Sequence, residues 1–457
     1  MTEAAMVLDV GKTHAKLSLV DGEGAVIVAR NRANATPTHD GRRVLDAEGI
    51  WAWFLATASE LAALTDVRAI VPVAHGAAAA LVIGDDVAAP VLDYEQPPPD
   101  DVFAAYERER GTFAETCSPS LPVGLNLGRQ LYWQESLYRG VWPGRASALL
   151  WPQYWAWRLC GERASEVTSL GCHTDLWRPA GGGFSHLAQR RGWVGRLGPL
   201  RAADDVLGVV RADLATRLGL APDCAVLCGL HDSNASLHAV RGSPVLAGGA
   251  FSLVSTGTWF VAFSVGATGL PALDPARDTL ANVAVDGRPV ASARFMGGRE
   301  YAAIVADDFG EGASLADARA VVGRGVMATP SFAPGCGPYP TSRGRWVGEP
   351  SSAQERGAVA ALHLALMTDA CLTLVRSEGP IVLEGRFAAA ALFPGALAAL
   401  RPDQPVLICG GGDGVALGAA RLWRPDAARG LDLTPVAPLD IDLTGYAERW
   451  REAAAKA

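Results

Sequence analysis

"VLDVGKTHAK", Val7 to Lys16, decides how this chain is read. It holds Gly11-Lys12-Thr13, the tripeptide that closes a Walker phosphate loop. Such a loop needs a glycine five residues before the Gly-Lys pair, and Met6 stands there. It must also open a helix. Here Ala15, Leu17 and Leu19 instead alternate with Lys16, Ser18 and Val20, and "DGEG" then leads into the apolar run Ala25 to Val28. A period of two predicts strands over 5–9, 14–20 and 24–29, joined by tight turns. Gly11 is then a hairpin glycine, and the rest of the chain must say whether that turn belongs to a site.

Moving outward, "WAWFLATASELAAL" (51–64) reads as an amphipathic helix before a strand over 68–73. "WPQYWAWRLCG" (151–161) reads as a helix that starts at its proline and ends at Gly161. "RADLATRLGL" is a short helix before the strand "CAVLCGL". This alternation predicts an α/β domain. The chain then begins again. "AFSLVSTGTWFVAFSVGA" (250–267) repeats the opening layout of strand, small polar turn with glycine, and strand. A long helix over 351–379 follows, then the strand "PIVLEG", the strand "PVLICGGGDG" and the helix "VALGAARLW". The expectation is two similar α/β domains, 1–240 and 241–457. Each opens with a hairpin whose turn faces a ligand cleft, and a hinge lies near 235–248.

Composition excludes several classes. The formal charge is −8 with no long basic run, which removes a nucleic-acid footprint. No apolar stretch reads as long enough to span a bilayer, since Pro72, His75 and Gly76 break the most apolar region. The N-terminus lacks the basic segment of a secretory leader, so no membrane partner and a cytoplasmic location are expected. Eight scattered cysteines without a Cys-x-x-Cys pair argue for reduced thiols rather than zinc.

The polar residues suggest phosphoryl transfer. That chemistry needs preorganised N–H groups and small hydroxyls around phosphates, a carboxylate to accept a hydroxyl proton, and Mg²⁺. "DVGKT" and "STGT" are turns of the first kind. Asp232, in "GLHDSNASLHA", follows a strand and a glycine and precedes a helix, where open α/β sheets put ligands. A plainer reading makes Asp232 or Ser233 the cap of that helix. His75-Gly76 also follows a strand, and "CGGGDG" (409–414) is a glycine-rich strand-to-helix loop.

Taken in order, "DVGKT", His75-Gly76, "GLHDSNAS" and "STGTW" resemble the FGGY family of carbohydrate kinases, in the actin-like ATPase superfamily. The resemblance covers nearly the whole chain. It implies two actin-like, ribonuclease H-like α/β domains with a ligand cleft between them. "AHGAAAALV", "PVLDYE", "GLNLGRQLYW" and Asn282 before "FMGGREY" are similar to the rhamnulokinase and L-fuculokinase group. The implied activity is ATP-dependent phosphorylation of a ketose, such as the 6-deoxy-ketohexoses L-rhamnulose and L-fuculose. By the same resemblance Asp232 is the catalytic base and Asp9 the metal-side carboxylate. Gly11, Lys12 and Thr13 form the first phosphate turn; Thr256, Gly257 and Thr258 form the second. His75, Gly76, Asp93, Gln130 and His231 line the sugar pocket. Asn282, Gly385 and Gly411 lie toward the nucleotide. ATP, Mg²⁺ and a sugar are the expected small-molecule partners, and a homodimer is left open. The chain departs from the family pattern at "VLEGRFAAAALF", which has no triple glycine where adenine is expected. A competing expectation is a non-catalytic ATP- and sugar-binding regulator of the same superfamily, and another is an ATPase without a sugar.

Overall fold

The computed structural model describes residues 3–142, 146–246, 248–266, 269–306, 312–390, 392–410, 413–427 and 431–456. The chain forms two compact units. The first comprises Met1–Ser243, Ala281–Pro289 and Gly412–Gly430; the second comprises Pro244–Leu280, Val290–Gly411 and Leu431–Ala457.

The opening segment is the predicted meander. Strands Glu3–Val10, His14–Asp21 and Val26–Ala33 pair antiparallel in succession. Glu3–Val10 then pairs parallel with Asp66–Ala74, which pairs parallel with Ala225–Leu227 and, further along, with Leu230–His231. Val206–Val209 closes the far edge antiparallel. The central strands are apolar almost throughout, as strands covered on both faces must be. Helices Ala47–Ala62 and Trp151–Cys160 contribute Phe54, Trp51, Tyr154, Trp155 and Trp157 to one core against the sheet. Gly161, in left-handed conformation, ends the second of these helices as its sequence predicts.

The second unit repeats the plan. Phe251–Thr256, Phe260–Val265 and Pro289–Phe295 form an antiparallel meander. Phe251–Thr256 pairs parallel with Ile381–Gly385, that strand with Val406–Gly410, and Asp432–Pro435 closes antiparallel. Both sheets run from a three-stranded meander through parallel strands to an antiparallel edge, and the second adds Thr279–Val283 outside its meander, so the duplication read from two hairpins extends to most of the topology.

One expectation changes. Ala353–Leu374 is 22 residues of apolar helix, long enough to cross a membrane by length and hydropathy alone. Fifteen of its residues, Gly357–Asp369 with Cys371 and Leu372, are instead buried against strands and helices of the second unit. An all-round apolar helix is what a core position requires. The helix also stops at Leu374, short of the expected 379, where Arg376 takes a left-handed conformation.

Candidate active site

Strand register assembles the first unit's site. Asp9 pairs with Val73 on one side of strand Asp66–Ala74, and Leu230 pairs with the same Val73 on the other. The His75 N–H donates to the Val10 carbonyl at 3.1 Å. Asp9, His75 and the His231-Asp232 pair therefore leave the carboxyl ends of three adjacent parallel strands, the edge where open α/β sheets bind ligands. Across the hairpin Asp9 lies opposite Lys16, so the two share one face. Lys16 forms an ion pair with Asp413, which also caps helix Gly414–Trp423 by accepting from Ala416 N–H at 3.1 Å. Burial, Asp232 and Asp413 push the Asp9 carboxyl up to about 7, against the opposing pull of Lys16. Asp9 thus feels two further acids and one lysine.

Asp232 does not cap its helix. The helix starts at Asp232, its cap position is His231, and no side-chain cap bond forms there. Asp232 Oδ1 instead accepts from the Ser233 N–H at 2.6 Å and from the Ser233 hydroxyl at 3.3 Å. Oδ2 makes no hydrogen bond among the described residues. The plainer reading of Asp232 and Ser233 as caps is therefore corrected: the cap position falls on His231, and Asp232 takes only the N–H of the residue next to it. His231 Nδ1 lies 3.3 Å from Asp232 Oδ1. A Cβ added to Gly76 would sit 2.7 Å from His231 Nε2 and 3.4 Å from Cys172 Sγ, so the missing side chain admits the ring. His231 is held above the usual histidine range by Cys172 and Asp232, which outweigh its burial.

The His75 Nδ1 lies 2.8 Å from the Gly76 carbonyl, which fixes that nitrogen as the donor. Burial pulls its pKa down, leaving Nε2 as an acceptor. The Tyr94 ring meets it edge-on at 5.5 Å. Lys12 turns away from the role its tripeptide suggests. It forms an ion pair with the fully buried Asp93, lies 3.8 Å from Glu95 and 5.0 Å from the centre of the Tyr94 ring. Asn34 Nδ2 holds the Gly11 carbonyl at 2.9 Å, and Thr13 is exposed at the turn. Gln130 is buried; its amide nitrogen donates to the Ala77 and Gly124 carbonyls at 2.5 and 2.7 Å, while its Oε1 has no protein partner.

The second unit holds the other turn. Thr256 pairs with Phe260 across the hairpin and with Gly385 on the neighbouring strand. Its hydroxyl is committed internally, donating to the Glu384 carbonyl at 2.6 Å and accepting from the Phe387 N–H at 3.1 Å. Thr258 is the exposed member of the turn. Asn282 is buried and groups with the first unit, on the segment whose Ala281 N–H donates to the Cys117 carbonyl at 3.1 Å. Gly411 lies outside the described residues.

Residues 248–430 match the C-terminal domain of carbohydrate kinase FGGY. A solved carbohydrate kinase from Novosphingobium aromaticivorans is 44% identical, with a TM-score of 0.95, over 100% of this chain and 99% of that one. The chain belongs to the FGGY family of carbohydrate kinases. A ligand-bound xylulose kinase from Lactobacillus acidophilus shares 14% identity at a TM-score of 0.80, over 99% of this chain and 97% of that one. A Plasmodium falciparum glycerol kinase with ADP shares 10% at 0.80, over 100% and 98%. These two share the fold. A comparison with curated proteins gave no match.

Within this FGGY kinase, sequence reasoning missed Lys16, Asp413 and the buried residues behind Asp232. Lys16 was within reach: in the predicted hairpin it is the cross-strand neighbour of Asp9. Asp413 follows the glycine-rich loop, but nothing in "GGGDG" tells which lysine it meets.

Proposed function

We propose that this carbohydrate kinase transfers the γ-phosphate of ATP to a hydroxyl of a ketose, with Asp232 as general base. The carrying observation is the convergence of Asp9, His75 and Asp232 at three adjacent strand ends, with one Asp232 oxygen uncommitted. A sugar hydroxyl does not ionise at neutral pH, and phosphoryl transfer has a loose transition state. Asp232 therefore orients the hydroxyl and takes its proton late. His75 Nε2 accepts a second sugar hydroxyl, while Asp93, Gln130 Oε1 and His231 supply further contacts. Residues 1–240 carry the sugar side. Residues 241–457 carry the nucleotide side, where the family resemblance assigns Gly257 and Thr258 to the phosphates and Gly385 to the nucleoside.

The residues fit Mg²⁺. Asp9, Asp232 and Asp413 are hard oxygen donors with an excess of negative charge. Among the described residues no three of His, Cys, Asp and Glu stand close enough to hold an ion alone; Mg²⁺ would be held through Asp9, Asp232 or Asp413 with water and phosphate oxygens as its other ligands, as is usual for this ion. Bound there, Mg²⁺ neutralises phosphate charge. The segments "AHGAAAALV" and "GLNLGRQLYW" favour a 6-deoxy-ketohexose such as L-rhamnulose or L-fuculose as acceptor. ADP release across pentuloses, 6-deoxy-ketohexoses and polyols tests the acceptor class. Asp232→Asn is expected to lower turnover about 10²–10⁴-fold with nucleotide binding retained; near-normal turnover would remove the base assignment.

A further inference from the structure

We propose that Gln153 and Thr168, which touch no reacting atom, are positioning residues that hold the backbone bend presenting Asp232. The proposal rests on the reading of Asp232 as the base. Between strand Ala225–Leu227 and the pair Leu230–His231 the chain leaves the ladder and rejoins it. Gly229 makes this possible. Its φ is +76°, and a Cβ there would lie 2.0 Å from the Pro72 carbonyl oxygen. The bend needs partners for every polar group it takes out of the sheet, because the whole region is buried. Its N–H groups are met by backbone: Cys228 donates to the Asp205 carbonyl at 2.9 Å and Gly229 to the Ala203 carbonyl at 3.0 Å.

The remaining groups are met by side chains. Gln153, on helix Trp151–Cys160, donates from one amide nitrogen to the Cys228 and Gly229 carbonyls at 3.1 and 3.3 Å. The Thr168 hydroxyl accepts the His231 N–H at 3.0 Å, one residue before Asp232, and donates to Glu166 Oε2 at 2.5 Å. Glu166 in turn accepts the Thr168 and Ser169 N–H groups at 2.8 and 3.2 Å. Gln153, Glu166 and Thr168 are wholly inaccessible to solvent. A helix and a short turn, distant in sequence, thus fix both ends of the four-residue segment from Cys228 to His231. Asp232 follows at once, so its carboxylate inherits the precision of that segment. A hydroxyl that must meet its base in line tolerates little displacement.

Thr168→Val keeps the volume and removes both hydrogen bonds. It is expected to lower kcat about 10–100-fold and to leave KM for sugar and ATP within about twofold. Thr168→Ser restores the rate. Gln153→Met, which removes the amide whose nitrogen holds both carbonyls and whose oxygen has no partner among the described residues, shifts kcat in the same direction and serves if Thr168→Val does not fold. On the Asp232→Asn background Thr168→Val costs nothing further, since the group it positions is already gone. Equal rate losses with and without Asp232, or a lowered melting temperature with unchanged kcat, would overturn the positioning role. Near-normal turnover of Asp232→Asn alone is read separately and would overturn the base assignment beneath it.

Discussion

Lys12 has a partner that its local sequence does not announce. Its tripeptide suggests a phosphate ligand, yet the side chain neutralises Asp93, which is wholly buried and otherwise accepts the Glu95 N–H at 2.9 Å with Arg43 Nε at 3.8 Å. Removing Lys12 leaves a buried carboxylate short of its nearest cation. Lys12→Ala should therefore raise the sugar KM by about tenfold, on the order of 1–2 kcal/mol, with the ATP KM far less affected. Steady-state kinetics with each substrate varied in turn checks this; a change confined to the ATP KM would return Lys12 to the phosphate. Asp9 was singled out only through the family resemblance; the register that sets it opposite Lys16 comes from the strand pairing. Thr168 was not singled out, because one threonine among many announces nothing until its 63-residue-distant partner is known.

Among elements, the helix that begins with Asp232 is set by its neighbour, helix Gly414–Trp423. A Cβ added to Gly418 would sit 1.8 Å from the Ala235 carbonyl oxygen, so the two helices touch backbone to backbone. Gly418→Ala must push them apart. The expected cost is about 1–3 kcal/mol of stability, with lost turnover because the displaced helix carries the base. Gly323, exposed near the end of helix Leu315–Arg324, has nothing within 4 Å of an added Cβ. Gly323→Ala should be neutral or stabilise by up to about 1 kcal/mol through helix propensity alone. Thermal melts with kinetics on the pair separate close packing from propensity. Both hairpins and the long helices could be read from periodicity. This contact could not, since "VALGAARLW" shows a small residue on an apolar helix and leaves its partner unnamed.

At the scale of the whole molecule, the chain builds a similar sheet twice, the second with an added edge strand, and gives each its own core. The second core contains an acid that its surroundings hold ionised. Glu300 is 1% exposed and accepts from the Ser331 hydroxyl at 2.6 Å, the Phe332 and Ala333 N–H groups at 2.8 and 3.0 Å, and His363 Nε2 at 3.2 Å. The other His363 nitrogen faces the Ala328 carbonyl at 3.0 Å, which Trp450 also engages at 2.7 Å. This ties helix Gly297–Val305, the long helix and the C-terminal helix to one loop. Burial would raise the Glu300 pKa, but His363, Ser331 and the loop N–H groups pull it down to about 2. A carboxyl depressed in the folded state stabilises fully above its unfolded pKa. That contribution fades as pH falls from the ordinary value of 4.5 toward 2. Glu300→Gln should therefore be less stable than the wild type by on the order of 3 kcal/mol near neutrality, with the gap narrowing below pH about 4.5. Denaturant unfolding at stepped pH measures the gap, and hydrogen exchange should show the lost protection in the second unit alone. A gap that stays constant, or widens, toward acid would mean that Glu300 sits there protonated and that its donors, rather than its charge, hold the loop.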